Sequence, residues 1–296
     1  MKPPFALRID LDSRVCVRKG LPALLAMLRR NDAPATFYIA MGREPFLPAF
    51  WAGKLMSRGR YRSHLPAVAR PRRRKTALAE LARRVVLPAN FARENRRLLR
   101  GIPDAGHMPG AHTTCHERWA LSLPEIDVRA EFSRMGEEFE SVFGFEPRSF
   151  AAPMFRTDAR VLGALDESGY ATAGDLDGDL PFHPVLNGRK FRHVQVPVNL
   201  KCADTVPLIE DLWARGLPQE EIARRVCSRI DEKVSAGRPA VLYGHGFLEG
   251  TLALPALELV VRHAKDSGCE FVTMDGMARR YPGRSEEVGR RLGEAK

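Results

Sequence analysis

The chain has 296 residues, 44% of them hydrophobic and 28% charged, and a formal net charge of +11. That length suffices for one large α/β domain or two ordinary ones, and the composition excludes global disorder. No run of about 18 apolar residues occurs, which excludes a spanning helix, and the start MKPPFALRID has no apolar leader core. Five widely spaced cysteines without a CxxC (Cys16, Cys115, Cys202, Cys227, Cys269) speak against a disulfide framework or a cysteine zinc site. A reducing, cytoplasmic compartment is expected.

Residues 4–10 (PFALRID) read as a buried strand ending in acid, and Leu21, Leu24, Leu25 and Leu28 mark a helix. Residues 35–40 (ATFYIA) predict a second strand. A basic segment follows. Residues 51–100 hold 15 Lys and Arg against two acids, Glu80 and Glu94, so this window carries +13 and the rest of the chain −2. Such a segment attracts polyanions. Leu78, Leu81, Ala82, Val85 and Val86 fall at helical spacing, with Arg83 and Arg84 off the stripe, so a basic helical insert is expected over 50–105. A basic helix with an apolar face suits an anionic membrane surface. The same stripe equally suits packing on the parent domain. No nucleic-acid motif accompanies the charge, and no nucleic-acid partner is expected.

Further along, Ser122 and Glu125 form a capping-box pattern with Pro124 in the first turn. The helix so predicted carries Phe132, Met135, Phe139, Val142 and Phe143 on its apolar face and stops at Gly144 and Pro147. Residues 148–152 (RSFAA), 193–198 (HVQVPV), 240–244 (AVLYG) and 270–273 (EFVT) read as strands, and Pro197 makes the second of these an edge or a strand end. Between them, Val161, Leu162 and Leu165, then Ile222, Val226, Ile230 and Val234, then Leu257, Val260, Val261 and Ala264 stripe three helices. From Tyr281 the chain is polar, and 286–296 read as a tail. Strands alternating with helices imply a parallel α/β sheet or barrel. In such barrels chemistry gathers at the C-terminal ends of strands. Asp10 with Asp12, Arg156, and His245 fall at such ends.

Asp10-Leu-Asp12 can divide labour, one carboxylate ligating a cation while the other acts as a base. The bland alternative is a turn or helix N-cap. His112-Thr-Thr-Cys-His116 sets two imidazoles four residues apart, on one side of a helical turn and within reach of one metal. The bland alternative is a surface pair. Cys115 would point about 100° away in a helix and is left out. Asp12 with both histidines makes a two-His-one-carboxylate set, which fits a catalytic metal with open positions, zinc by default. His245, followed by GFLEG, reads as a loop histidine or as a general acid facing that site. In AAPMFRTD (151–158), the Phe155 backbone N–H could hold an oxyanion, and Arg156 could orient a carboxylate or bind phosphate; Asp175 in AGDLDGD could pair with Arg156.

Taken in order, DxD, HxxxH, the AP/Arg loop, a late Asp and a strand-end His resemble the NodB-type carbohydrate esterases, the polysaccharide deacetylases. LRIDLD before RKGLPALLAML, with GAHTTCH, APMFRTD, LPFHPVL, VQVPVNL and GHGFLEG, is similar to the branch that deformylates 4-formamido-arabinose on polyprenyl phosphate. A sister branch deacetylates N-acetylgalactosamine on the same carrier. The resemblance covers about residues 5–280 and implies a distorted (β/α)7-type barrel, the NodB homology fold, here with a basic helical insert. One metal-dependent deacylase domain over 1–285 is expected, with one divalent ion held by Asp12, His112 and His116. Asp10 is then the base and His245 the acid, with Arg156 and Asp175 tuning the pair and Phe155 and Glu249 meeting substrate. The implied substrate is an N-formyl or N-acetyl amino sugar on undecaprenyl phosphate, in lipid A or cell-envelope glycan modification. The implied place is peripheral, on the anionic inner leaflet of the plasma membrane, reached through residues 51–100. A soluble polysaccharide or peptidoglycan deacetylase and a non-catalytic lipid- or nucleic-acid-binding barrel are the alternatives. Three departures from the family pattern are Ala151 where many deacetylases carry Arg, Thr114-Cys115 where the deformylases carry Trp-Asp, and the segment after Met41.

Overall fold

The first strand, β1 (Pro4–Leu11), is buried at every position, as a strand covered on both faces must be. The computed structural model describes residues 2–42, 90–202 and 206–292. Most of the basic insert, with the stripe from Leu78 to Val86, lies outside the described residues. After β1 come α1 (Leu21–Arg30), β2 (Thr36–Ile39), α2 (Phe91–Glu94), α3 (Arg96–Asp104) and β3 (Met108–Ala111). Then follow α4 (His116–Ser122), α5 (Val128–Phe143), β4 (Ser149–Phe150), α6 (Ala159–Glu167) and β5 (Thr172–Ala173). A small sheet element pair, β6 (His183–Leu186) and β7 (Arg189–Lys190), precedes β8 (Val194–Gln195). The chain continues through α7 (Leu208–Ala214), α8 (Gln219–Ser235), β9 (Ala240–His245), α9 (Leu254–Asp266), β10 (Glu270–Val272), α10 (Met274–Arg279) and β11 (Ser285–Glu287).

Among the described residues the main sheet has eight strands, all paired in parallel. Its order runs β9-β1-β2-β3-β4-β5-β8, with β10 added beside the start of β1. An isolated parallel bridge between Leu200 and Leu242 ties the chain after β8 back to β9. The curled sheet thus closes irregularly, as a distorted seven-strand α/β barrel. Helices pack outside it through the apolar stripes read from the sequence: Leu24, Met27 and Leu28 of α1, Phe132, Met135 and Phe139 of α5, and Val260 and Val261 of α9 are all within 2% of full burial.

Two boundaries differ from the sequence reading. Helix α5 begins after Asp127, whose side chain accepts from Ala130 N at 3.1 Å. Ser122 makes no capping bond, and Leu123–Glu125 form a 3-10 turn instead. At its other end Gly144 closes the helix in the left-handed region, φ +82°. The C-terminal stretch is also more than a polar tail. Strand β11 pairs with β6, and Val288 is buried with Phe182, Leu186 and Phe191. The strand itself, SEE, has no apolar residue, and that hid it. No helix among the described residues is long and apolar enough to cross a membrane.

Candidate active site and metal centre

Asp10 and Asp12 leave the C-terminal end of β1, and each is 3% exposed. The ladder between β1 and β9 sets Asp10 directly opposite His245. Gly246 N donates to the Asp10 carbonyl at 2.9 Å, so the turn after β9 is sewn to the same strand end. His112 follows β3 and His116 opens α4. Their imidazoles meet across a loop, because Thr113 takes φ +64° between them. The helical turn expected from the spacing is absent, and a strand-to-helix connection brings the two rings to 5.2 Å between centroids instead. Among the described residues Cys115 does not join them.

One ligand atom each from Asp12, His112 and His116 lies within 4.8 Å of the others, and all three residues are buried. The His112 Nδ1–H donates to the Ala151 carbonyl at 2.5 Å, which leaves Nε2 as a lone pair. That Nε2 stands 3.3 Å from Asp12 Oδ1, and His116 Nε2 stands 3.8 Å from Asp12 Oδ2. Asp12 Oδ1 and His116 Nδ1 are buried without a hydrogen-bond partner. Acceptors that converge in a buried space without donors call for a cation among them. One carboxylate and two imidazoles fit a divalent ion. Burial alone would raise the Asp12 carboxyl, but the imidazoles of His116, His112 and His245 hold it well below the carboxylate range. Burial, with His112 and His245 adding to it, brings His116 down to about 4.

Arg8 sits beneath this centre. Its Nε and Nη2 donate to Asp10 Oδ1 and Oδ2 at 2.8 and 2.7 Å, a two-bond fork, and its Nη1 donates to the Gly174 carbonyl at 2.8 Å. The guanidinium lies 4.6 Å from the Phe155 ring centre, 5.2 Å from Tyr38 and 5.4 Å from Tyr243. His245 has its own carboxylate. Glu210 Oε1, from α7, accepts from His245 Nδ1 at 2.6 Å, while His245 Nε2 faces Asp12 Oδ2 at 3.6 Å. Burial works against a charged His245, yet Glu210 and then Asp12 and Asp10 raise its pKa well above the usual value.

Four residues read from the sequence have other partners. Arg156 does not meet Asp175: its Nη1 donates to the Ala120 carbonyl, and its own carbonyl accepts from Trp119 Nε1 at 2.9 Å. It braces α4, and Arg8 holds the carboxylate that Arg156 was expected to orient. Asp175 Oδ1 accepts from Ala152 N at 2.6 Å, and burial pushes its carboxyl up to about 6. The Phe155 N–H is spent on the Ala152 carbonyl at 3.0 Å, so it is not a free oxyanion donor; its ring covers Arg8 instead. Glu249 is 1% exposed and its Oε2 accepts from His245 N at 3.0 Å, so it shapes the loop from inside. Sequence reading missed Arg8 and Glu210. Arg8, Asp10 and Asp12 alternate on one face of β1, so the period of a strand could have found Arg8. Glu210 lies 35 residues before His245 in the chain and had no local signal.

Residues 84–173 match the family model described as polysaccharide deacetylase. The chain is similar to a 4-deoxy-4-formamido-L-arabinose-phosphoundecaprenol deformylase, ArnD, of Shewanella sediminis, 23% identical over 277 residues, 90% of this chain and 83% of that protein. In fold it is similar to a polysaccharide deacetylase of Pseudomonas aeruginosa PAO1, with a TM-score of 0.63 at 14% identity over 93% of this chain and 89% of that one. It is also similar to BA3943 of Bacillus anthracis, described as a CE4 family pseudoenzyme, with a TM-score of 0.52 at 16% identity over 97% of this chain and 69% of that one. In its barrel, in its strand-end carboxylates with their histidines, and over residues 84–173, the chain is similar to the polysaccharide deacetylases.

Proposed function

We propose that this chain is one barrel domain that hydrolyses the N-formyl or N-acetyl group of an amino sugar carried on undecaprenyl phosphate. The observation that carries the reading is the register of β1 and β9, which sets Asp10 and His245 side by side above the buried Asp12, His112 and His116. Asp12, His112 and His116 would hold a divalent ion, zinc by default, and the chemistry it would supply when bound is Lewis acidity towards a water and an amide carbonyl. Asp10, fixed in the Arg8 fork, takes the proton of the attacking water. His245, oriented through Nδ1 by Glu210, turns Nε2 to the departing nitrogen and gives it a proton. The products are the free acid and a sugar amine, which carries a positive charge at neutral pH.

The sequence likeness to the deformylase supports the reading of a lipid-linked substrate, and the charge of the chain agrees with it. Arg93, Arg96, Arg97 and Arg100 are exposed on α2 and α3, with Leu98 open among them. Arg18 joins them, since its Nε donates to Asn95 Oδ1 at 2.7 Å. This described part of the basic segment presents cations and an apolar side chain together, as a helix resting on an anionic inner leaflet does.

The test is release of formate or acetate from lipid-linked 4-formamido-arabinose and N-acetylgalactosamine by the metal-loaded protein. Asp10→Asn is expected to lower the rate by about 10²–10⁴-fold while the bound metal stays near one ion per chain. Full activity in Asp10→Asn would overturn the mechanism, and no release from either lipid would overturn the substrate.

A further inference from the structure

The loop that carries both histidines is held by a residue outside the site. Thr114 lies between His112 and His116 and is 8% exposed. Its N–H donates to Glu131 Oε1 at 2.6 Å, and its hydroxyl stands 2.8 Å from both Glu131 Oε1 and Oε2. Glu131 is 6% exposed, in the first turn of α5, and among the described residues it forms no ion pair. A buried carboxylate without a cation is unfavourable unless hydrogen bonds and a helix N-terminus compensate it. All of its side-chain hydrogen bonds among the described residues go to Thr114, so packing alone does not explain an acid there.

The same loop is pinned from the other side. Met41 N donates to the Thr113 carbonyl at 2.7 Å. A Cβ on Gly42 would stand 2.2 Å from the Thr114 carbonyl oxygen, so the two loops pass in direct backbone contact. Thr113 is a β-branched residue at φ +64°, a strained conformation that persists only where its surroundings impose it.

We propose that Glu131 is a positioning residue for the metal centre: through Thr114 it fixes the strained loop on which His112 and His116 converge, and so sets the affinity for the divalent ion. This rests on the reading that Asp12, His112 and His116 hold such an ion. The clamp is a property of tertiary structure, reaching from α5 to a loop 17 residues earlier.

The experiment is zinc affinity by chelator competition, with the visible spectrum of the cobalt-loaded protein and the melting temperature of the metal-free protein beside it. The full chain is compared with Glu131→Gln, Thr114→Val, Thr114→Ser and His112→Ala/His116→Ala. Glu131→Gln and Thr114→Val are expected to bind zinc about 10–100-fold more weakly, the size typical of a lost partner behind a ligand, with an altered cobalt spectrum. Thr114→Ser, which keeps the hydroxyl, is expected to bind within about threefold of the parent, since the hydrogen bonds survive. Thr114→Val keeps the backbone bond, so it reports on the clamp even where Glu131→Gln folds poorly. Zinc affinity within twofold of the parent in both Glu131→Gln and Thr114→Val would overturn the clamp while a dead double-histidine variant left the metal site standing. Failure of the parent itself to bind zinc or cobalt would overturn both.

Discussion

Arg8 buries a full positive charge, at 1% exposure, in the wall of the barrel. Three aromatic faces and the Gly174 carbonyl surround it, and the Asp10 carboxylate neutralises it. Removing one member of such a pair strands the other, which costs far more than the pair is worth against water. Arg8→Met is therefore expected to destabilise the fold by about 3–5 kcal/mol, measured by urea unfolding. In an Asp10→Asn background the same substitution should cost clearly less, because no charge is left behind. Equal costs in the two backgrounds would mean that Asp10 is not what Arg8 holds. Residue by residue, Asp10, Asp12, His112 and His245 were legible because each stands where a strand ends, and His116 by its spacing from His112. Their partners were less so. Arg8 was readable by strand alternation, but Glu210 and Glu131 reach the site only through the tertiary fold. Phe155 and Arg156 were placed by motif, and motif order does not say which way an N–H or a guanidinium turns.

At the scale of elements, the site depends on how closely the turn after β9 approaches the segment before α1. A Cβ on Gly20 would stand 1.6 Å from the Gly246 carbonyl oxygen, and one on Gly250 would stand 2.5 Å from the Gly20 Cα. Three glycines, from RKG and from GHGFLEG, let two backbones touch there. Gly20 has an ordinary helical φ of −84°, so the constraint is space and not conformation. Gly20→Ala is expected to cost about 3 kcal/mol, at the upper end of overpacking effects, and to shift His245 away from Asp12. Thermal melting and catalytic rate together check this, and a variant that melts and turns over like the parent would refute the contact. The glycines stood out in the sequence, but nothing local named their partner. The strands and long helices were legible because their apolar periods are strong. The start of α5 was misplaced because Ser122 and Asp127 offer rival caps five residues apart, and the one nearer the apolar stripe caps it. The histidine pair was misread as a helical turn for a related reason: i, i+4 spacing does not reveal a left-handed residue between.

For the whole molecule, acid is the condition that tests how its parts are joined. Asp166, at the end of α6, accepts from Arg192 N at 2.9 Å, His193 N at 3.1 Å and His193 Nδ1 at 2.8 Å. His193 Nε2 lies 3.4 Å from Gln195 Nε2, and Gln195 Oε1 accepts from Asp175 N and Leu176 N at 3.0 and 3.2 Å. One buried network thus joins a helix outside the barrel to the loop of Asp175 beside the site. Burial alone would raise the Asp166 carboxyl, but the His193 ring and the N–H groups of Arg192 and His193 bring it down to about 2. Burial lowers His193 as well. Both groups therefore hold fewer protons folded than unfolded, so unfolding takes up protons and stability falls as pH falls. The loss begins below the ordinary histidine value of about 6.5 and continues through the ordinary carboxyl value of about 3.9 towards about 2, where Asp166 itself protonates. A chain already at +11 gains further positive charge over the same range, which adds repulsion to the loss. Asp166→Asn cannot be protonated there. Its urea midpoint is expected to start lower at neutral pH and to decline less steeply than the parent's between about pH 4 and pH 2. Parallel declines in parent and variant would assign the acid limb to other carboxylates and leave this network out of it.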